Sequence, residues 1–277
     1  MNHLDVNIRR KRYAGAGAAA VETLRFSAFP GEFVAIVGPS GAGKSTLLNI
    51  ISGLDLDLDG EVRVDGQPLH SDSGEATPVR IGFVFQEPRL LPWLTVLDNL
   101  LLVLDKGPPS EARCRHLLGE VGLAGVEHAF PGQLSGGMQR RVALARAFAV
   151  RPELLLMDEP FLSLDAPTAA RLRDLLLTLW GELRPTVLFV THHLREALAL
   201  AERVLFLSRG PARVVLELPV QLPRPRRLDD ACVGELHDRL LAQYPDLLSG
   251  LVESDSPPDL DVTDPAVQPF KPLETVR

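Results

Sequence analysis

The sequence predicts an α/β fold, a mixed sheet with flanking helices, into which one purely helical block is inserted. Three observations predict it. A short apolar run, Phe33–Val37, leads directly into Gly38-Pro39-Ser40-Gly41-Ala42-Gly43-Lys44-Ser45-Thr46 and then into an apolar helix start at residues 47–52. Further along, apolar runs and helical spacing alternate. Between Glu87 and Val150 the strand-like runs stop, and three stretches of helical spacing follow one another.

Strand-like runs lie at residues 4–8, 24–28, 33–37, 61–64, 81–85, 154–157, 186–190 and 204–207. They are short and rich in Val, Ile, Leu and Phe, the character of buried strands. Helical spacing covers residues 44–52, 166–180 and 194–201 in the α/β part, and 94–104, 111–121 and 137–149 in the inserted block. An amphipathic helix is expected over residues 228–243. From Ser254 onward Pro257, Pro258, Pro265, Pro269 and Pro272 mix with Asp and Thr without periodicity, which predicts a mobile tail. The expected division is a core of residues 1–86 and 151–222 with an N-terminal β part, a helical subdomain of 87–150, and a C-terminal helix and tail of 223–277. No internal repeat is visible.

Composition narrows the function. The chain has 277 residues, 45% of them hydrophobic, enough for one large or two modest cores. A net charge of −7 argues against a general nucleic-acid binder, which needs a basic face. Cys114 and Cys232 have no C-x-x-C spacing and read as buried or incidental thiols in a reducing compartment. No apolar stretch is long enough to span a bilayer; the longest, around residues 175–190, is broken by Gly181, Glu182, Arg184 and Pro185. Arg9-Arg10-Lys11-Arg12 imitates a twin-arginine export signal, but an Ala/Gly segment and Glu22 follow, so a solvated basic turn is expected. The chain reads as cytoplasmic, with any membrane role arising through a partner.

The glycine string has the form G-x-x-x-x-G-K-[ST], in the strand–loop–helix context this motif requires. Its glycines let backbone N–H groups turn inward, and the helix start adds positive potential for phosphates. Lys44 is the candidate for the outer phosphates and the Ser45 hydroxyl for Mg²⁺. The run 153–157 ends in Asp158 and Glu159, acids at the carboxyl end of a strand, where ligands bind in such sheets. Asp158 is the candidate to hold Mg²⁺, and Glu159 to orient and deprotonate the water that attacks the γ-phosphate; a turn-capping role before Pro160 is the alternative.

Leu134-Ser135-Gly136-Gly137-Met138-Gln139 resembles the L-S-G-G-x-Q signature of ATP-binding cassette (ABC) ATPases, and the order of the other motifs agrees. The resemblance covers roughly residues 4–226. It implies a P-loop NTPase of RecA-like fold in which two copies of the chain face head to tail around two Mg²⁺–ATP. Ser135, Gly136 and Gly137 would contact the γ-phosphate held by the other copy. Gln86 resembles the glutamine that touches Mg²⁺ and the attacking water at the hinge into the helical block. Asp165 resembles the D-loop acid at the dimer interface, and equally suits an N-cap for the helix that follows. His192 resembles the switch histidine that senses the γ-phosphate, and Tyr13 the aromatic that stacks on adenine. His193 departs from the acid many relatives carry there.

The string Leu90-Leu91-Pro92-Trp93-Leu94-Thr95-Val96-Leu97-Asp98-Asn99, with Leu222-Pro223-Arg224-Pro225-Arg226, resembles ATPase subunits of bacterial importers for nitrate, sulfonates and taurine. That resemblance implies separate transmembrane permease subunits, indirect service to a solute-binding protein, and a place at the cytoplasmic face of the membrane. Leu90, Leu91 and Trp93 would offer an apolar ridge to a permease helix, or else Trp93 packs into the helical block. A soluble ABC ATPase working on DNA or ribosomes fits poorly with an acidic chain bearing one compact cassette. An export-type cassette is disfavoured by the Pro92-Trp93 string.

Overall fold

The computed structural model describes residues 3–70, 79–105 and 107–251. Among them, strands form two sheets. A six-stranded sheet has the order β10-β9-β3-β8-β7-β6, and a four-stranded antiparallel sheet the order β2-β1-β4-β5. The large sheet comprises β3 (Phe33–Val37), β6 (Ile81–Val84), β7 (Leu154–Asp158), β8 (Thr186–Thr191), β9 (Arg203–Leu207) and β10 (Val214–Pro219). All its pairings are parallel except β10 on β9, which is antiparallel and closes one edge. The small sheet comprises β1 (Leu4–Lys11), β2 (Val21–Ala28), β4 (Asp59–Val64) and β5 (Gln67–Pro68).

Strand composition explains the layers. Every residue of β3 and β8 is buried, as expected for parallel strands covered on both faces. Because successive side chains point to opposite faces, Phe33, Ala35 and Val37 join the core against the helices. Val34 and Ile36 instead join the core against the small sheet, where Leu4, Val6 and Ile8 of β1 meet Leu47, Leu48 and Ile51 of helix α1 (Lys44–Ile51). Each core draws on the hydrophobic effect, about 25 cal/mol per Å² of apolar surface removed from water.

Between β6 and β7 the described residues hold α2 (Val96–Leu101), α3 (Pro108–Glu120), a 3₁₀ turn (Pro131–Gln133) and α4 (Gly136–Ala149), with no strand. Helix α2 is shorter than its spacing predicts. Thr95 caps it by accepting the Asp98 amide at 3.1 Å. The preceding residues are held in a turn by the buried Asn99, whose Nδ2 donates to the carbonyls of Leu91, Leu94 and Thr95 while its Oδ1 accepts the Leu91 amide. An asparagine buried in apolar surroundings is tolerated because all its polar capacity is used.

Helices α5 (Ala166–Leu183), α6 (Leu194–Leu200) and α7 (Ala231–Gln243) cover the large sheet. Arg224 and Arg226, two residues apart, donate to the last carbonyls of α6, at Leu200 and Ala201. Cations at a helix C-terminus satisfy carbonyls that lack an intrahelical partner. Trp180 lies under the Arg184 and Arg224 guanidinium groups, 4.2 and 4.7 Å from its ring centre.

Two expectations need correction and one falls outside view. The basic quartet is not a solvated turn: Arg9, Arg10 and Lys11 finish β1. A register shift between Ile8 and Arg10 reverses the alternation, so Lys11 points inward and is only 2% exposed. There its ammonium donates to Asp55 Oδ1 at 2.7 Å and to the Asp57 carbonyl at 2.6 Å. Strand β10 was not predicted; its run Val214-Val215-Leu216-Glu217-Leu218 is an edge strand whose sequence carries little alternation. The expected tail from residue 254 lies outside the described residues.

Candidate active site

The strands β3, β6, β7 and β8 all end on the same edge of the large sheet, and each delivers one of the residues singled out from the sequence. After β3 the chain turns through Gly38–Gly43 into α1. Gly41 and Gly43 adopt φ values of +78° and +87°, which favour glycine strongly. At Gly43 a side chain would also collide, since an added Cβ would sit 2.8 Å from the Ala20 carbonyl oxygen. The result is a loop that curls around an open cavity of about 770 Å³, the backbone shape that suits an anion. Gly38, Pro39, Ser40, Gly41, Gly43, Lys44, Ser45 and Thr46 line it, joined by Gln86, Glu159 and His192. Ala42 is buried behind the loop and does not line it.

Lys44 is 6% exposed, with its ammonium donating to the carbonyls of Gly38 and Pro39 at 2.8 and 2.9 Å. Burial lowers its pKa, an effect opposed by the charges of Glu159 and Asp158. Burial raises that of Asp158, helped by the neighbouring Glu159 and opposed by a hydrogen bond from Ser45 and by Lys44. Glu159 sits at φ +43°, a costly conformation for a residue with a Cβ, and its amide donates to the Val190 carbonyl. Its carboxylate meets His192 Nδ1 at 3.0 Å and lies 3.9 Å from Lys44 Nζ. His192 is fixed by the turn after β8, where the Thr191 hydroxyl accepts the His193 amide and donates to the buried Glu196.

The structure does not bring the remaining candidates into this cavity. Ser135 caps α4, its hydroxyl accepting the Met138 amide at 3.3 Å, and Gly136 and Gly137 form the first turn of that helix away from the cavity. Asp165 caps α5 by accepting the Thr168 amide at 3.0 Å, and hydrogen bonds from the Thr168 side chain and then its backbone lower the Asp165 pKa. Tyr13 lies beside the phosphate loop, its hydroxyl donating to Thr46 Oγ1 at 3.2 Å and its ring 4.8 Å from Lys11 Nζ. Sequence reasoning missed four lining residues, Ala20, Val37, Leu162 and Leu248. Leu248 has no motif around it; it arrives because the Arg209 amide bonds the Gly250 carbonyl and folds the segment after α7 back onto the loop after β9.

Beyond the cavity, Trp93 stands 70% exposed instead of packing into the helical block. A further cavity of about 400 Å³ is lined by Phe83, Phe85, Arg89, Leu91, Leu102 and Val103. Phe83 and Phe85 stack 4.0 Å apart there, with the Arg89 guanidinium 4.1 Å from the Phe85 ring centre.

A glycine loop at a helix start, with a buried lysine inside and two acids at the end of a parallel strand one place removed across β8, defines a phosphate-loop nucleoside triphosphatase. The comparisons agree and are more specific. Residues 21–162 match the family model described as ABC transporter. The chain is 50% identical over 212 residues to the aliphatic sulfonates import ATP-binding protein SsuB 2 of Streptomyces avermitilis, covering 76% of this chain and 79% of that one. It is 47% identical over 216 residues to the nitrate import ATP-binding protein NrtD of Synechococcus elongatus, covering 75% and 77%. The solved dimer of the cassette MJ0796, in a post-hydrolysis state bound to ADP and phosphate, superposes with a TM-score of 0.68 at 34% identity, covering 78% of this chain and 98% of that one.

The chain belongs to the ABC transporter family, in the subgroup of nitrate and sulfonate importer ATPases. It is an ATPase subunit. Among the described residues no helix is long and apolar enough to cross a membrane.

Proposed function

We propose that two copies of this chain close around two Mg²⁺–ATP and drive uptake of a small oxyanion, a sulfonate or nitrate, through separate permease subunits supplied by a solute-binding protein. The observation that carries the shared-site reading is the separation of the cavity from the signature turn. Lys44, Glu159, Gln86 and His192 converge on one cavity, while Ser135, Gly136 and Gly137 face outward on α4. Supporting it, a relative of known structure, the cassette MJ0796, is a dimer. The solute class rests on the names of the relatives, which import aliphatic sulfonates and nitrate.

In this reading the loop amides and Lys44 bind the β- and γ-phosphates. Lys44 gives up two carbonyl partners for phosphate oxygens, a stronger charge-assisted pairing. Tyr13 offers a ring face to adenine. Glu159 accepts the proton of the attacking water, and His192, hydrogen-bonded to it, senses the γ-phosphate. Asp165 lies at the dimer interface as well as capping α5.

The residues present fit a magnesium ion. The Ser45 hydroxyl, the Asp158 carboxylate and the Gln86 amide oxygen are hard oxygen donors, and the buried Asp158 gains from a cation beside it. Among the described residues no group of three or more His, Cys, Asp or Glu could hold a metal by itself, which suits an ion brought mainly by phosphate. When bound, the ion neutralises charge on the β- and γ-oxygens. The cavity between Phe83 and Val103, with the exposed Trp93 two residues along the chain from its lining residue Leu91, is the seat proposed for a permease helix.

The test of shared sites is a mixing experiment. Ser135→Arg and Lys44→Ala are each expected to be inactive alone, and a mixture to regain at most one composite site per heterodimer. Full activity of both single variants would exclude shared sites. Co-purified permease in vesicles, offered alkanesulfonate and then nitrate from outside, tests the solute: uptake should depend on Lys44.

A further inference from the structure

The guanidinium of Arg140 donates three hydrogen bonds, all to backbone carbonyls outside its own helix. Nη1 reaches Gln86 at 2.8 Å and Pro160 at 3.0 Å, and Nη2 reaches Leu162 at 2.8 Å. These carbonyls belong to the turn after β6 and to the turn that follows Glu159. Arg140 stands on the second turn of α4, close behind Ser135, Gly136 and Gly137. One planar fork therefore joins the signature helix to both turns that carry Gln86 and Glu159 into the cavity.

The chemistry of the contact matters. Burial lowers the Arg140 pKa, and its three hydrogen bonds to other parts of the chain go to carbonyl dipoles. A contact of that kind depends on direction more than on charge, and a guanidinium presents its donors as a fixed planar fork spread over separate nitrogens, which a single-nitrogen ammonium does not reproduce. The turn it holds is also under strain, because Glu159 sits at φ +43° and Leu162, whose amide donates back to the Glu159 carbonyl, lines the cavity. Nearby, Arg146 spans the same gap one step further along, donating to the carbonyls of Pro88 and Arg89. Arg146 touches only the segment after Gln86, whereas Arg140 touches both turns.

We infer that Arg140 is a positioning residue that couples the two nucleotide sites of the dimer. Engagement of Ser135–Gly137 by the partner's nucleotide draws on α4, and Arg140 transmits that movement to Gln86 and to the Glu159 turn of its own site. Cooperativity between the sites then passes through a single side chain that touches neither nucleotide. The inference rests on the shared-site reading above.

The experiment uses full-length protein with Arg140→Gln and Arg140→Lys, each measured for ATP affinity in a Glu159→Gln background and for steady-state hydrolysis. Since Arg140 does not line the cavity, ATP affinity should stay within about twofold while kcat falls about tenfold. The Hill coefficient, bounded by the two sites, should drop from near ~2 towards ~1. Arg140→Lys should recover part of kcat but little of the Hill coefficient, because it can satisfy only part of the triad. Should Arg140→Gln fold poorly, Arg140→Lys supplies the decision by hydrogen exchange: amides of residues 86–89 and 160–164 should exchange faster while those of β7 do not.

Unchanged kcat and cooperativity in either variant would overturn the inference. So would a loss of ATP affinity as large as the loss of kcat, which would mark general loosening. The Glu159→Gln control separates the two claims. If it still hydrolyses ATP, the proposed function falls; if it is inactive while the Arg140 variants stay cooperative, only the coupling role falls.

Discussion

The molecule carries two glycine-rich turns at helix starts, and they differ in what surrounds them. At Gly38–Lys44 the loop is walled in. A Cβ on Gly43 would meet the Ala20 carbonyl oxygen at 2.8 Å and Ala212 at 3.1 Å, and one on Gly38 would meet Leu207 at 3.2 Å. At Ser135–Gly137 the turn is open: nothing lies within 4 Å of a Cβ on Gly136, and one on Gly137 meets only the Thr168 methyl group at 2.9 Å. The first turn is shaped by its own chain. The second has one glycine, Gly136, that its own chain does not require, at a helix start of the kind that presents amides to an anion. The difference teaches that one site is complete in shape and the other is half of something.

The largest effect expected from this comparison is chemical. Glu159→Gln keeps the walls of the first turn intact and removes only the proton acceptor, so ATP binding should persist while kcat falls about 10²–10⁴-fold. With turnover blocked, the open turn should find its occupant, and ATP should convert the variant to a dimer in size-exclusion chromatography with light scattering. A monomer at saturating ATP would break the comparison, because the second turn would then have no phosphate to meet.

A pair of alanine substitutions sharpens it. Gly43→Ala demands φ +87° of a residue with a side chain and drives a methyl group into backbone, so it should cost more than about 1 kcal/mol and abolish ATP binding. Gly136→Ala places alanine in a helical turn with open space around it, and it should be neutral or stabilising by up to about 1 kcal/mol. Yet its turnover should drop while ATP affinity of the monomer is unchanged. Denaturant melts and ATP titrations of the two variants give the answer. Equal stability losses would mean that Gly136 is as confined as Gly43.

The two turns were also unequally legible. The phosphate loop and the acids after β7 were readable because motif, strand and helix fall together in one stretch of chain. The signature turn was readable only by resemblance, since a serine-capped helix start has the same local physics as any other. What stayed hidden was set by tertiary contact. Leu248 enters the cavity through the Arg209–Gly250 backbone bond, and Lys11 faces inward through a register shift in β1. Asn99 was quoted as part of a string, but only its four hydrogen bonds to the Leu91–Thr95 turn reveal why Trp93 is thrust outward. The three acceptors of Arg140 are carbonyls, and carbonyls have no sequence signature.

The smallest effect concerns the interior of the first site. Burial raises the Asp158 pKa, so the folded protein holds that proton more tightly than the unfolded chain does. Such a carboxylate costs nothing well below its unfolded pKa and progressively more as pH rises through the carboxylate range, the reverse of a salt-bridged acid. Asp158→Asn removes the cost, so its Tm should exceed that of the parent by a few degrees at neutral pH, with the gap closing in acid. The gain is trimmed because Lys44, itself penalised by burial, loses one of its two neighbouring carboxylates. Mg²⁺ with a non-hydrolysable ATP analogue should reverse the order, stabilising the parent more than the variant. Melts across pH with and without that ligand therefore measure strain held for binding: the first turn is finished in shape but not in charge. A variant less stable than the parent at neutral pH would show instead that the Ser45 hydrogen bond outweighs burial, and that the site is already balanced before nucleotide arrives.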